Sequence, residues 1–172
     1  MEFDQAFAGG CCIFEGERWG ELHVRPFTPP AVSGTQHFEF LGRLTGARGP
    51  QRVCLHWPPT DLSAVREYTN TLQFATVLDR AIFTSRDLER WERVGDVRVE
   101  GLCARFTVEA DGAPLYVAVG KPYLENNLTA LFAVATADPR ATVVEIGRSR
   151  LGRPLRAIRI GGEAGGGEGF YL

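Results

Sequence analysis

Gln51-Arg52-Val53-Cys54-Leu55-His56-Trp57 divides its side chains between two sides of the backbone. Val53, Leu55 and Trp57 share one face, while Arg52, Cys54 and His56 share the other. Strict alternation is the period of a β-strand with one side buried and one side wet, the habit of antiparallel sheets. The period continues in both directions. In Gln36–Leu44, Phe38, Phe40 and Leu44 alternate with His37, Glu39 and Arg43, and Leu22/Val24, Val97/Val99, Phe106/Val108 and Leu115/Val117/Val119 repeat the pattern. Turn chemistry separates these runs at Pro29-Pro30, Gly46-Ala47-Arg48-Gly49-Pro50, Pro58-Pro59 and Asp111-Gly112. Short strands at that spacing predict an antiparallel β-sandwich running from about Phe3 to Gly120.

Beyond Pro122-Tyr123 the period changes. Leu124, Leu128, Leu131, Phe132 and Ala135 recur at helical spacing, and Pro139 follows, so Leu124–Ala137 is expected to be a helix. A β-branched strand (Thr142–Ile146), a glycine-bearing turn (Gly147–Gly152) and a second strand (Leu155–Ile160) come next. Gly161–Gly169 holds six glycines in nine residues, which suits a turn, and Phe170-Tyr171-Leu172 reads as the opening of another strand. The switch from all-β to helix–strand–strand marks a domain boundary near Lys121. The expected domains are residues 1–121 and residues 122–172. The second is too small to bury a sheet against a helix by itself.

The chain has 172 residues, 44% of them hydrophobic, enough to build a core. Nineteen Lys and Arg against 21 Asp and Glu leave a formal charge of −2, no electrostatic footprint for nucleic acid or an anionic membrane. Apolar runs fall short of the ~20 residues of a membrane span. Met1-Glu2-Phe3-Asp4 lacks the basic and apolar regions of a secretory signal. Four cysteines, two of them adjacent at Cys11 and Cys12, are too few for a disulfide scaffold, and a cytoplasmic location is expected.

Few residues carry recognisable chemistry. His23, His37 and His56 show no paired spacing, and no His-x-x-Glu, Cys-x-x-Cys or His-Glu-x-x-His occurs. On the strand reading His37 and His56 are solvated polar-face residues. Cys54 and His56 point to the same side of one strand, about 6.5–7 Å apart along the backbone, too far for a direct hydrogen bond unless they lean together. The glycine-rich tail lacks the Lys-Ser/Thr ending of a phosphate loop and carries Glu163 and Glu168. Asn127-Leu128-Thr129 matches a glycosylation acceptor, which has no consequence outside the secretory path. Arg148, Arg150, Arg153, Arg156 and Arg159 form a basic cluster without interleaved aromatics, so a solvated face is expected there. Accordingly no position is assigned as catalytic, cofactor-binding or metal-ligating.

Val144-Glu145-Ile146-Gly147-Arg148-Ser149-Arg150-Leu151-Gly152-Arg153-Pro154-Leu155 resembles the "(I/L)G-x-S-x-x-GRP" hairpin of zinc carboxypeptidases, which lies at the start of their catalytic α/β domain. Tyr116–Tyr123 resembles the "PY" segment closing the amino-terminal β-sandwich of the cytosolic carboxypeptidase branch. Phe3–Gly10 is similar to its "FDGGN"-like opening. Phe38-Glu39-Phe40 stands where that branch shows an aromatic "WFYF" strand, and Ser85–Trp91, with Trp91-Glu92-Arg93, resembles its "S-x-D…W-x-R" segment. The resemblance implies a mainly β fold: an antiparallel β-sandwich, then a helix and hairpin that begin an α/β carboxypeptidase domain. In the family the next strand leads into a His-x-x-Glu that supplies two zinc ligands, with a further His, a base Glu and substrate-binding arginines later. Here Gly169-Phe170-Tyr171-Leu172 would be that strand, so none of those residues can be carried over to this sequence.

The resemblance therefore implies an inert front portion of a zinc metallocarboxypeptidase. The zinc of the full-length parent would polarise the scissile carbonyl and acidify a water. The expected partners are the parent's own catalytic domain and the carboxy-terminal tails of peptides or proteins. The last fifty residues are expected to expose apolar surface and self-associate. Arg18, Arg25 and Arg98 are exposed on the alternation reading and would face acidic tails. Two other readings stand beside it. One is a self-sufficient binding module stacking a ligand on Trp19, Trp57 or Trp91, although Trp57 aligns with the core face. The other is a thiol enzyme at Cys54/His56.

Overall fold

The computed structural model describes residues 1–27, 40–56, 82–101, 103–161 and 169–171. His37, Phe38, Trp57, Pro29-Pro30, Pro58-Pro59 and most of the glycine-rich tail therefore lie outside the described residues. The chain forms two compact units, Met1–Pro122 and Tyr123–Leu172.

The described residues of the first unit form ten strands: β1 (Glu2–Asp4), β2 (Ile13–Arg18), β3 (Glu21–Arg25), β4 (Phe40–Thr45), β5 (Arg48–His56), β6 (Ile82–Ser85), β7 (Glu92–Arg93), β8 (Arg98–Glu100), β9 (Cys103–Asp111) and β10 (Leu115–Val119). They form two five-stranded sheets, ordered β1-β4-β10-β6-β7 and β2-β3-β5-β9-β8. One core joins their inner faces, with Phe3, Phe40, Leu44, Leu115 and Val117 from the first sheet and Leu22, Val24, Val53, Leu55, Phe106 and Val108 from the second. This is the expected mainly β sandwich. Among the described residues its pairings are antiparallel except one, because β3 runs parallel to β5.

The corners follow the glycines. Gly46, at φ 69°, lies between β4 in one sheet and β5 in the other. Gly112, at φ 98°, makes the matching turn from β9 to β10, where Asp111 Oδ1 accepts the Ala113 N–H at 3.0 Å. Residues Arg48–Pro50, expected to be turn, instead open β5, with Pro50 opposite Glu109 of β9. Pairing with β3 begins only at Arg52, so Pro50 has a partner residue on β9 but none on β3, an edge-like position where proline is tolerated.

The alternation is clearest in β9, where Ala104, Phe106, Val108 and Ala110 are buried and Thr107 and Glu109 are exposed. It breaks where β3 meets β5. Glu21, Leu22, His23 and Val24 are all buried, as are Val53, Cys54 and Leu55. Both faces of these two strands are covered there.

In the second unit α1 (Glu125–Ala137) is followed by β11 (Ala141–Arg148), β12 (Pro154–Ile160) and β13 (Gly169–Tyr171), which form a three-stranded antiparallel sheet. Asn127 Oδ1 accepts the Leu124 N–H at 2.8 Å and so closes the helix start. A bulge at Glu145/Gly147 and a tight turn, with the Ser149 N–H donating to the Arg153 carbonyl at 2.8 Å, shape the hairpin. Of the expected apolar helix face only Ala135 is buried; Leu128 and Leu131 are exposed, as are Val134, Ile146, Leu151, Leu155 and Ile160. A three-turn helix and three strands leave that much apolar surface uncovered.

Candidate functional site

The covered outer face of the second sheet holds four residues of one chemical kind. His23 is opposite Cys54 in the β3–β5 pairing, and His56 is opposite Cys103 in the β5–β9 pairing. Cys54 and His56 are two apart on β5, so all four side chains emerge on the side away from Leu22, Val24, Val53 and Leu55. His23 Nδ1 lies 2.6 Å from His56 Nε2, and the two rings meet edge to edge, their planes 16° apart and their centroids 4.9 Å apart. Cys103 Sγ sits 3.0 Å from His56 Nδ1, and the Cys54 thiol donates to Cys103 Sγ at 3.7 Å. The ligand atoms of His23, Cys54 and His56 lie within 4.8 Å of one another.

Burial is graded across the cluster. Cys54 is wholly buried and His23 is 4% exposed, whereas His56 and Cys103 are half-buried. His23 Nε2 is buried without a hydrogen-bond partner, an arrangement that costs free energy. Burial pushes the Cys54 thiol up to about 12, reinforced by the Cys103 hydrogen bond and charge, while Arg105 opposes and Glu21 adds to the shift. Burial, then the neighbouring His23, hold His56 below the usual imidazole value. The resting state is thus a neutral imidazole and a neutral thiol. Glu21, on the same face, is held by Arg52 Nη2 at 2.6 Å and by Arg105 Nε at 3.4 Å.

This arrangement corrects one expectation. His56 is not a solvated polar-face residue but is bonded through both ring nitrogens. His56 bonds Cys103, and the wholly buried Cys54 is poorly placed as a nucleophile. The cluster draws one member from β3, two from β5 and one from β9, so no single-strand spacing reveals it. The only local signal was Cys54-Leu55-His56, and strand register supplies the rest.

Other expected features resolve differently. Arg25 is half-buried and paired with Glu15 at 2.9 Å, whereas Arg18 and Arg98 are exposed. The five arginines from Arg148 to Arg159 are exposed, and Arg156 lies over the Phe132 ring at 5.8 Å. Trp91 is half-buried, with its indole N–H on the Leu88 carbonyl. Trp19 is 88% exposed. It occupies the two-residue β2–β3 turn with Gly20, both at positive φ, and its ring meets His23 edge-on at 6.2 Å. A cavity of ≈ 540 Å³ is lined by Ser85, Arg86, Asp87, Arg90 and Glu109, among others. Its polar groups serve the backbone: Ser85 Oγ accepts the N–H groups of Asp87 and Leu88, and Asp87 Oδ1 accepts those of Glu89 and Arg90. Ser85–Trp91 is therefore a turn braced by its own side chains.

No family model and no curated protein matches this sequence. Solved structures do match. A metallo-carboxypeptidase from Burkholderia cenocepacia superposes with a TM-score of 0.71 at 21% identity, over 95% of this chain and 40% of its own. The metallo-carboxypeptidase from Pseudomonas aeruginosa, solved in complex with (2-guanidinoethylmercapto)succinic acid, gives 0.67 at 17% identity, over 93% and 40%. The chain has the fold of two-fifths of a metallo-carboxypeptidase. Its own length spans about 40% of those structures. A catalytic zinc of the kind the resemblance implies does not fit the residues present, because none of the three histidines is followed by Glu at the third position. The donors brought together at His23, Cys54 and His56 are two imidazoles and a thiol instead. No helix among the described residues is long and apolar enough to cross a membrane.

Proposed function

We propose that this chain is the non-catalytic amino-terminal region of a zinc-dependent metallocarboxypeptidase of the cytosolic branch. Residues 1–121 form the accessory sandwich, and residues 122–172 form the first helix and strands of the catalytic domain. The observation that carries this reading is the superposition covering 95% of the chain but only 40% of the metallo-carboxypeptidase from Burkholderia cenocepacia. The apolar residues left exposed on α1, β11 and β12 support it, since a catalytic domain completed by further strands would cover them. On this reading the sandwich packs on the catalytic domain and restricts which carboxy-terminal tails reach its cleft. The parent, acting in the cytoplasm, removes carboxy-terminal residues from peptides or proteins.

The test compares residues 1–172 with the full product of the same gene on amino-blocked dipeptides and longer peptides. Hydrolysis by the full product alone, abolished by chelation, supports the proposal. Hydrolysis by residues 1–172, or none by a longer product, overturns it. The binding-module alternative rests on Trp19, whose 88% exposure is unusual for an indole. It predicts a Trp19 emission shift with a carbohydrate or peptide ligand.

A further inference from the structure

We propose that His23, Cys54 and His56 form a zinc site, with His23 Nδ1, His56 Nε2 and Cys54 Sγ as ligands and Cys103 as the residue that orients His56. The donor set selects the ion. Two imidazoles and one thiolate suit a borderline-soft cation, whereas calcium and magnesium require oxygen ligands. A trigonal copper site of the same composition would add a distant methionine sulfur, and the only methionine here is Met1, which is 53% exposed.

The geometry is close to what coordination requires. Three ligand atoms already converge within 4.8 Å, from two adjacent strands. Two nitrogens bound tetrahedrally at about 2.0–2.1 Å from one ion lie about 3.3 Å apart. The 2.6 Å between His23 Nδ1 and His56 Nε2 must therefore open by about 0.7 Å. Both rings must turn about their side-chain bonds to bend their head-on contact toward a common ion, and Cys54 Sγ, now within 4.8 Å, must come to about 3.5 Å from each nitrogen.

His56 is held for the role. A metal-bound imidazole usually places its second ring nitrogen on a fixed partner, which sets the tautomer. Cys103 Sγ occupies that position, 3.0 Å from His56 Nδ1; with the Nδ1 proton held there, Nε2, which faces His23 Nδ1, is the ligand atom. The burial gradient supports an ion rather than an organic substrate. Cys54 and His23 are too deeply buried to meet an organic substrate, while half-buried His56 and Cys103 offer a hydrated ion a way in. On binding, Cys54 loses its S–H proton to water and the thiolate bonds the ion; no oxidation occurs. Zinc would thereby tie β3 to β5.

The test uses the full chain, stripped with a chelator and titrated with Co²⁺ as an optical substitute, then with Zn²⁺. One equivalent of cobalt with a thiolate-to-metal charge-transfer band, displaced by Zn²⁺, is the expected result. Folded Cys54→Ser should lose the band. Cys12→Ser should keep it, because the Cys12 thiol instead lies 3.4 Å from the Asp4 carbonyl oxygen. Cys103→Ala should weaken cobalt about 10–100-fold, and Cys103→Ser, which restores an acceptor to His56 Nδ1, should recover most of that loss.

A readout that needs no change at the buried Cys54 is available. Trp19 emission, from a ring 6.2 Å from His23, should be quenched by Co²⁺ and recover when Zn²⁺ replaces it; Trp19→Phe should abolish that response. Substoichiometric cobalt, a band that persists in folded Cys54→Ser, or quenching undiminished in Trp19→Phe would overturn the site. None of these readouts depends on peptidase activity, so the metal site and the carboxypeptidase reading stand or fall separately.

Discussion

Replacing Leu55 by Ala tests the sandwich at its centre. Leu55 is wholly buried on β5, between Val24 of β3 and Ala104 of β9, both also wholly buried. The change removes three carbons, worth about 2.4 kcal/mol at about 0.8 kcal/mol each. The small Ala104 and the β-branched Val24 cannot lean into the gap, so a cavity term adds to this, for a total loss of about 3–4 kcal/mol. With a urea dependence of about 2 kcal/mol per molar, the unfolding midpoint should fall by about 1.5–2 M. Far-ultraviolet circular dichroism during urea titration measures it. Leu155→Ala is the control: Leu155 is 47% exposed on β12, and its loss should cost no more than about 0.5 kcal/mol. A loss below about 1 kcal/mol for Leu55→Ala, or equal losses for the two, would refute the assignment of inner and outer faces.

The same structure carries three further outcomes. A Cβ at Gly42 would fall on the Phe3 ring and Cys12 Sγ, so Gly42→Ala should overpack the core, costing about 1–3 kcal/mol and lowering Tm. Burial raises the Asp4 carboxyl, but its bonds to Arg43 and the Ala6 N–H outweigh this and hold it below the usual value. Its stabilising contribution is therefore complete above about pH 4 and lost as pH falls through the lowered value, and Asp4→Asn should flatten the acid limb of the stability profile. Leu128, Leu131 and Val134 form an exposed stripe three residues apart on α1, so sedimentation velocity should show concentration-dependent association. Leu131→Lys with Val134→Lys should reduce that association, and an unchanged sedimentation profile would exclude the stripe as its cause.

Much of the fold was legible because period two survives wherever a strand has one wet face. Phe106 and Val108 on β9, and the Asp111-Gly112 turn after them, are where alternation and turn chemistry place them. Arg48–Pro50 misled because Gly and Pro signal a turn by composition, while Pro50 lies outside the part of β5 that pairs with β3 and borders β9 alone. The parallel β3–β5 pairing left no local mark, since strand direction depends on how the chain crosses between sheets. For the same reason the candidate metal site was illegible. Cys54 and His56 share a face in any strand reading, but His23 and Cys103 join them only through the register of β3 and β9. Alternation also assigned that face to water, whereas His23 and Cys54 are buried. The helix was expected to carry an apolar face through Leu128 and Leu131, and both are exposed, because spacing identifies a face without supplying what covers it.

The most direct measurement of the central claim is the reading frame of the gene beyond the codon for Leu172. A metallocarboxypeptidase parent predicts that β13 continues within a few residues into His-x-x-Glu, followed later by another His and a base Glu. A stop codon directly after Leu172, or a continuation without that ligand pattern, would contradict the proposal that this chain is the front of a zinc peptidase.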